Sequence, residues 1–317
     1  MNKKQGIVFF SVFGILACYH LYLQNDAIAL LMLAIIGLGI LVLLFPTAHF
    51  SAKTERLLSY PEEEENEESN NENNEPQKKT YLTYYGDELD FTDEALNAIL
   101  LKRLPFFKPL NEANRKKFLH RLNKFLAEKT FYIHDESGFK EMPVLISATA
   151  IQLSFGLDKY LLPSFEKIHI YPEEFVGIHS NFRILEGNVS DNCVNLSWKH
   201  FLKGFQFPTD GQNVGLHEFA HAYYFQYFET GESVDKKFVS AYPEFNNHCN
   251  DVVAHEQRPG NDLYTDYGLT NVQEFWAESV ELFFEKPVQL KSRYPILYDA
   301  LIKIWNQDPS NERNYWY

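Results

Sequence analysis

Residues 213–224 read Asn213-Val214-Gly215-Leu216-His217-Glu218-Phe219-Ala220-His221-Ala222-Tyr223-Tyr224, and this stretch decides how the rest of the chain is read. It lies in a helix expected over Asn213–Phe228. On a helix, His217 and His221 are one turn apart and project from the same face, so both imidazoles can reach one ion. Neutral imidazole nitrogens suit zinc at about 2.0–2.1 Å. Glu218 sits on the adjoining edge, where it can hold a water and take its proton, and zinc brings that water's pKa toward neutrality. Five residues with two free positions also arise by chance. Here, however, the flanking residues are apolar, and two His and a Glu on a buried helix are costly unless they coordinate or pair.

A catalytic zinc needs a third protein ligand and an open position. The extended HExxHxxGxxH pattern fails, because Tyr224 and Tyr227 stand where its Gly and third His would be. The expected third ligand is Glu274 in a later helix, Asn271–Phe284, which is otherwise very apolar. Glu278, four residues on, shares its face and is expected to orient a ligand imidazole. Glu281 and Glu285 are read as solvated charges.

The 317 residues carry a formal net charge of −14. With no basic stripe, the chain gains nothing from counterion release on phosphates, so nucleic acid is excluded as the main partner. Three Cys (18, 193 and 249) cannot build a disulfide framework. Two apolar runs open the chain, at about 7–23 and 27–45, separated by Gln24-Asn25-Asp26. Each is long enough, or nearly so, to cross about 30 Å of hydrocarbon. Lys3 and Lys4 precede the pair and Lys53 and Arg56 follow it. The positive-inside rule then places both ends, and everything downstream, in the cytoplasm. The expectation is a transmembrane hairpin over 1–50 in the inner (cytoplasmic) membrane. A cleaved leader ending near Ala17-Cys18 and a single span that exports the remainder are the alternatives. Residues 51–79 form an acidic linker; its 61–79 portion has eight Glu and no core-forming residue, which reads as an extended tether.

A globular domain is expected over 80–317. Apolar periodicity predicts helices from Asp93, over Asn111–Lys129, Met142–Gly156 and Tyr294–Trp305, besides those around His217 and Glu274. Lys167–Tyr171 alternates like a strand; Ile184–Val189 and Cys193–Trp198 are strand-like and can pair. The class is mixed α+β, with strands before the long central helix.

Asn195-Leu196-Ser197-Trp198, Gly204, residues 213–221, Tyr267 and Glu274-Phe275-Trp276-Ala277-Glu278 together resemble the MtfA family of bacterial zinc peptidases. Its catalytic domain is similar to that of anthrax lethal factor. The resemblance runs from about Glu173 to Pro287 and is weaker over 90–170. It implies a zincin-like metallopeptidase domain of the gluzincin type, with one zinc held by His217, His221 and Glu274 and with Glu218 as base. A Tyr seven residues before the ligand Glu assists the tetrahedral intermediate in such enzymes and matches Tyr267, with Tyr264 as its competitor. The strand Cys193-Val194-Asn195-Leu196-Ser197-Trp198 resembles the one bordering the cleft, and is expected to offer an exposed edge to an extended substrate. The family often continues HEFAH with Lys-Leu-Asp, where this chain has Ala222-Tyr223-Tyr224, and its better-known members are soluble. Family proteins are associated with aminopeptidase activity on small substrates and with binding a glucose-responsive transcription repressor.

The leading expectation is therefore a membrane-tethered zinc peptidase acting on a peptide or protein substrate. A regulatory binding protein that sequesters a transcription regulator is the alternative from another class. His248, Cys249 and His255 are weighed as a second metal site of non-standard spacing. His169, His179 and His200 read as ordinary strand or loop residues. The sequons at Asn188 and Asn195 go unused in a cytosolic domain.

Overall fold

Alternating apolar residues build the centre of the sheet: Phe131 and Ile133, Ile168 and Ile170, and Val194 and Leu196 are buried on adjacent strands. The computed structural model describes residues 82–177 and 182–311. Within these, the strands are β1 (Leu82–Tyr85), β2 (Thr130–Ile133), β3 (Lys167–Tyr171), β4 (Phe175–Gly177), β5 (Arg183–Leu185), β6 (Gly187–Ser190) and β7 (Cys193–Ser197). Five of them form one sheet in the order β1-β2-β3-β7-β6, with β4 and β5 pairing separately. The central pairs β2-β3 and β3-β7 are parallel, and the two outer strands run antiparallel to their neighbours. The expected apolar runs at 7–23 and 27–45, the linker and His179 lie outside the described residues. Among the described residues no helix is long and apolar enough to cross a membrane.

The helices are α1 (Asp93–Arg103), α2 (Glu112–Ala127), α3 (Glu141–Ser154), α4 (Trp198–Gln206), α5 (Val214–Phe225), α6 (Lys236–Glu256), α7 (Val272–Glu285), α8 (Pro287–Arg293) and α9 (Pro295–Trp305). Side-chain caps start several of them. Thr92, Asn111, Asn213, Asp235 and Asn271 each accept a backbone N–H from the first turn, which satisfies donors the helix cannot. Helix α3 is buried over nearly its whole length, and α5 and α7 bury all but a few positions. Such helices belong in the core.

Two expectations change. The strand at Cys193 is not an edge: β7 pairs with β3 on one side and β6 on the other, so its backbone groups are consumed. Asp191 takes a left-handed conformation (φ 51°) in the two-residue connection that folds β6 back alongside β7. The edge is therefore β6, Gly187–Ser190. Trp198 is not a strand residue but the first residue of α4, stacked on Phe201 with ring centroids 5.4 Å apart. Helices α4, α6 and α8 and strands β1, β2 and β4 are additions to the elements read from sequence.

Candidate metal centre

Asn213 fixes where α5 begins, since its side-chain oxygen accepts the Leu216 N–H at 3.1 Å. From that start, His217 and His221 fall on the face turned toward α7. The Trp276 indole donates to the Ala220 carbonyl at 3.0 Å in the buried interface between the two helices, which sets their mutual register. His217, His221 and Glu274 then offer one ligand atom each, all within 4.8 Å of one another, and no other such group occurs among the described residues. His217 Nε2 lies 3.2 Å from His221 Nε2 and 3.0 Å from Glu274 Oε2, and His221 Nε2 lies 3.6 Å from Glu274 Oε2. Ligands at 2.0–2.1 Å from a tetrahedral zinc stand about 3.3–3.4 Å apart. The three distances bracket that edge, so the residues fit such an ion without rearranging.

The imidazole of His217 is oriented from behind by Glu281, whose Oε1 lies 2.7 Å from Nδ1. A carboxylate only accepts, so Nδ1 carries a proton and Nε2 is the nitrogen that would face a metal. The other oxygen of Glu281 accepts the Asn213 N–H. Glu285 accepts the Asn213 side-chain amide at 2.9 Å and the Gly211 N–H at 3.0 Å. Neither carboxylate is solvated; both are buried. Glu278 does not reach the imidazole but receives the Thr265 N–H at 2.6 Å and its hydroxyl at 2.9 Å. The sequence held a signal for these roles, because Glu274, Glu278, Glu281 and Glu285 recur at helical spacing as one acidic stripe on an apolar helix.

Glu218 is buried beside this group, and its Oε2 has no hydrogen-bond partner. Burial pushes its carboxyl up to about 8, against the pull of His217. A cation in the neighbouring site opposes that shift. Burial alone would lower His217, but Glu274 and Glu281 hold it well above the usual imidazole range. Burial keeps His221 below that range. Burial would raise Glu274, yet its two imidazole neighbours hold it well below the usual carboxylate value. The edge strand comes close: a Cβ on Gly187 would stand 2.6 Å from Glu218 Cγ and Oε1, so only glycine fits there.

A cavity of about 410 Å³ opens beside His217 and Glu218, lined among others by Ile184, Gly187, Val214 and Tyr267. Tyr267 is 57% exposed at its mouth, its ring centroid 6.4 Å from that of His217. Burial, then the Glu274 charge, raises its phenol above the ordinary value. Tyr264 is elsewhere. It is buried, stacked on Phe275 at 4.7 Å, with its hydroxyl 2.8 Å from Ser279 Oγ. His248, Cys249 and His255 lie along α6 and form no metal group: buried Cys249 donates to the Phe245 carbonyl at 3.4 Å, and His255 Nδ1 is 2.7 Å from the Tyr294 hydroxyl. His200, read as ordinary, bridges Glu174 (2.6 Å) and Glu186 (2.9 Å).

This arrangement has counterparts. The family model for the glucose-regulated metallo-peptidase M90 family matches residues 77–306. The chain belongs to that family. A Synechocystis protein without an assigned role is 27% identical over 265 residues, covering 72% of this chain and 93% of its own length. Proteins named Mlc titration factor A are also similar. The one from Pectobacterium atrosepticum is 22% identical over 67% of this chain and 86% of its own. The one from Yersinia pestis is 23% identical over 70% and 86%. In this M90 chain the family match spans the three residues that could hold a metal.

Proposed function

We propose that this chain is a zinc metallopeptidase that hydrolyses peptide bonds, tethered by residues 7–23 and 27–45 to the inner membrane with its catalytic domain in the cytoplasm. The observation that carries the peptidase reading is the convergence of His217, His221 and Glu274 beside a buried, unpartnered Glu218 oxygen in an open cleft. A structural metal site has no use for that fourth group. The tether rests on the apolar runs and their flanking Lys and Arg.

His217, His221 and Glu274 hold the ion, with Glu281 fixing the His217 tautomer. Zinc supplies Lewis acidity when bound, bringing water's pKa toward neutrality and polarising a carbonyl. Glu218 accepts the proton of the attacking water at its free oxygen and passes it to the leaving amine, a general acid–base role worth about 10²–10⁴-fold. Tyr267 donates its phenol to the developing oxyanion. An extended peptide adds to β6, whose outer side has no partner strand among the described residues, so backbone hydrogen bonds hold it beside Glu218. Recognition of this kind tolerates varied side chains.

Binding a transcription regulator is a second role that the names of the Mlc titration factor A relatives support. It does not account for Glu218. The test is a panel of small peptides and aminoacyl substrates incubated with the full chain in detergent. Hydrolysis abolished by a chelator and restored by zinc supports the peptidase; zinc-loaded protein inert toward every substrate, yet binding a regulator, supports the second role.

A further inference from the structure

Between α6 and α7, residues 257–271 form the loop that carries Tyr267. Three consecutive amides near its middle point at buried carboxylates from the two helices. Glu256 Oε2 accepts the Leu263 N–H at 3.0 Å and the Tyr264 N–H at 3.3 Å. Glu278 Oε1 accepts the Thr265 N–H at 2.6 Å. Glu256 is itself held by the Tyr294 hydroxyl and by Arg293 at 3.4 Å. The Tyr264 ring is anchored in the core on Phe275. At the far end, Asn271 caps α7 by accepting the Gln273 and Glu274 N–H groups at 2.9 and 3.0 Å.

The five residues between these anchors are tied back through Thr265. Its hydroxyl donates to Glu278 Oε2 at 2.9 Å and accepts the Gly268 N–H at 3.1 Å, and its carbonyl accepts the Leu269 N–H at 3.2 Å. Gly268 lies so close to the carboxylate that a Cβ there would fall 1.5 Å from Glu278 Oε2. The backbone next to Tyr267 is therefore pressed onto Glu278. Buried carboxylates with several donors are strong, directional anchors, and their loss leaves buried N–H groups unpaired.

We propose that Glu278, acting through Thr265 and Gly268, is a positioning residue that sets where the Tyr267 phenol stands relative to the His217–His221–Glu274 group. The helix that supplies the ligand Glu274 thus also supplies, one turn on, the anchor for the phenol. Ligand and phenol share one rigid support, whereas an unanchored loop would let Tyr267 drift in the cleft. Displacement by about 1 Å can cost on the order of 10²-fold in rate. This inference rests on the peptidase reading for its kinetic consequence, but not for its structural one.

Two measurements test it. Glu278→Ala and Thr265→Val are each made in the wild-type chain and in a Tyr267→Phe chain. In the wild-type background each should lower kcat by about 10–100-fold, with KM and zinc content little changed. In the Tyr267→Phe background each should cost less than about twofold, because interacting residues are non-additive. Equal losses in both backgrounds would overturn the positioning role, as would full turnover in Tyr267→Phe alone. Thr265→Val, the milder change, carries the same comparison if Glu278→Ala fails to fold. Hydrogen exchange on the metal-free chain needs no activity. Glu278→Ala should speed exchange at Thr265 and Gly268 by about tenfold or more while α5 amides keep their rates; unchanged exchange at those two amides would overturn the clamp itself.

Discussion

Glu281 Oε1 lies 2.7 Å from His217 Nδ1, so the group that orients the metal-facing imidazole stands two turns beyond Glu274 on α7. Partners of this kind typically contribute about 10–100-fold in metal affinity. Glu281→Ala should weaken zinc binding by that factor in competition with a chromophoric chelator, while Glu278→Ala stays within about threefold of wild type. The reverse order would return the orienting role to Glu278.

Gly187 gives the second prediction. A methyl group there would meet Glu218 Cγ and Oε1 at 2.6 Å and Val214 Cγ2 at 2.8 Å. Gly187→Ala should therefore displace the base, lowering peptide turnover by about tenfold or more while zinc content holds. Wild-type turnover in that variant would show that the close approach of β6 has no bearing on Glu218.

Which parts of this were legible beforehand follows from the physics of each signal. Helical spacing gave α5 and the His217–Glu218–His221 face directly, and strand alternation gave β3 at Lys167–Tyr171. The partner order of strands is not a local property: alternation at Cys193–Ser197 marks a strand but not an edge, and the hairpin at Asp191 places β6 outside β7. Charge misled at Glu281 and Glu285. Carboxylates normally face water; their helical spacing with Glu274 hints at a shared face, and the fold shows them buried against His217, Asn213 and Gly211. Helix α6 was obscured by Pro243 within it and by a polar composition.

Lys129 offers a test of the core that is independent of the site. It is buried, donates to the Leu162 carbonyl at 2.8 Å, and burial lowers its pKa from 10.5 to about 8. A base depressed in the folded state binds fewer protons there than when unfolded, so stability rises with pH between about 8 and 10.5. The gain approaches about 3 kcal/mol across the window. Urea unfolding of the wild type should gain stability over this range relative to Lys129→Met, which lacks the titration; parallel curves would show the amine is not desolvated.

Topology is checked with a reporter fused after Tyr317. On the proposed topology, with basic residues flanking 7–23 and 27–45 on both outer ends, a cytoplasm-active reporter should work and a periplasm-active one should not. The opposite pair of results would favour a single span with an exported domain.

The most direct test of the central claim is the zinc content of the purified full chain, measured by mass spectrometry alongside peptide turnover. The account predicts one zinc per wild-type chain and a sharp loss in both His217→Ala and Glu274→Ala. It predicts full zinc content in Glu218→Gln, with turnover lower by about 10²–10⁴-fold. Undiminished zinc in both ligand variants, or wild-type hydrolysis by Glu218→Gln, would contradict it.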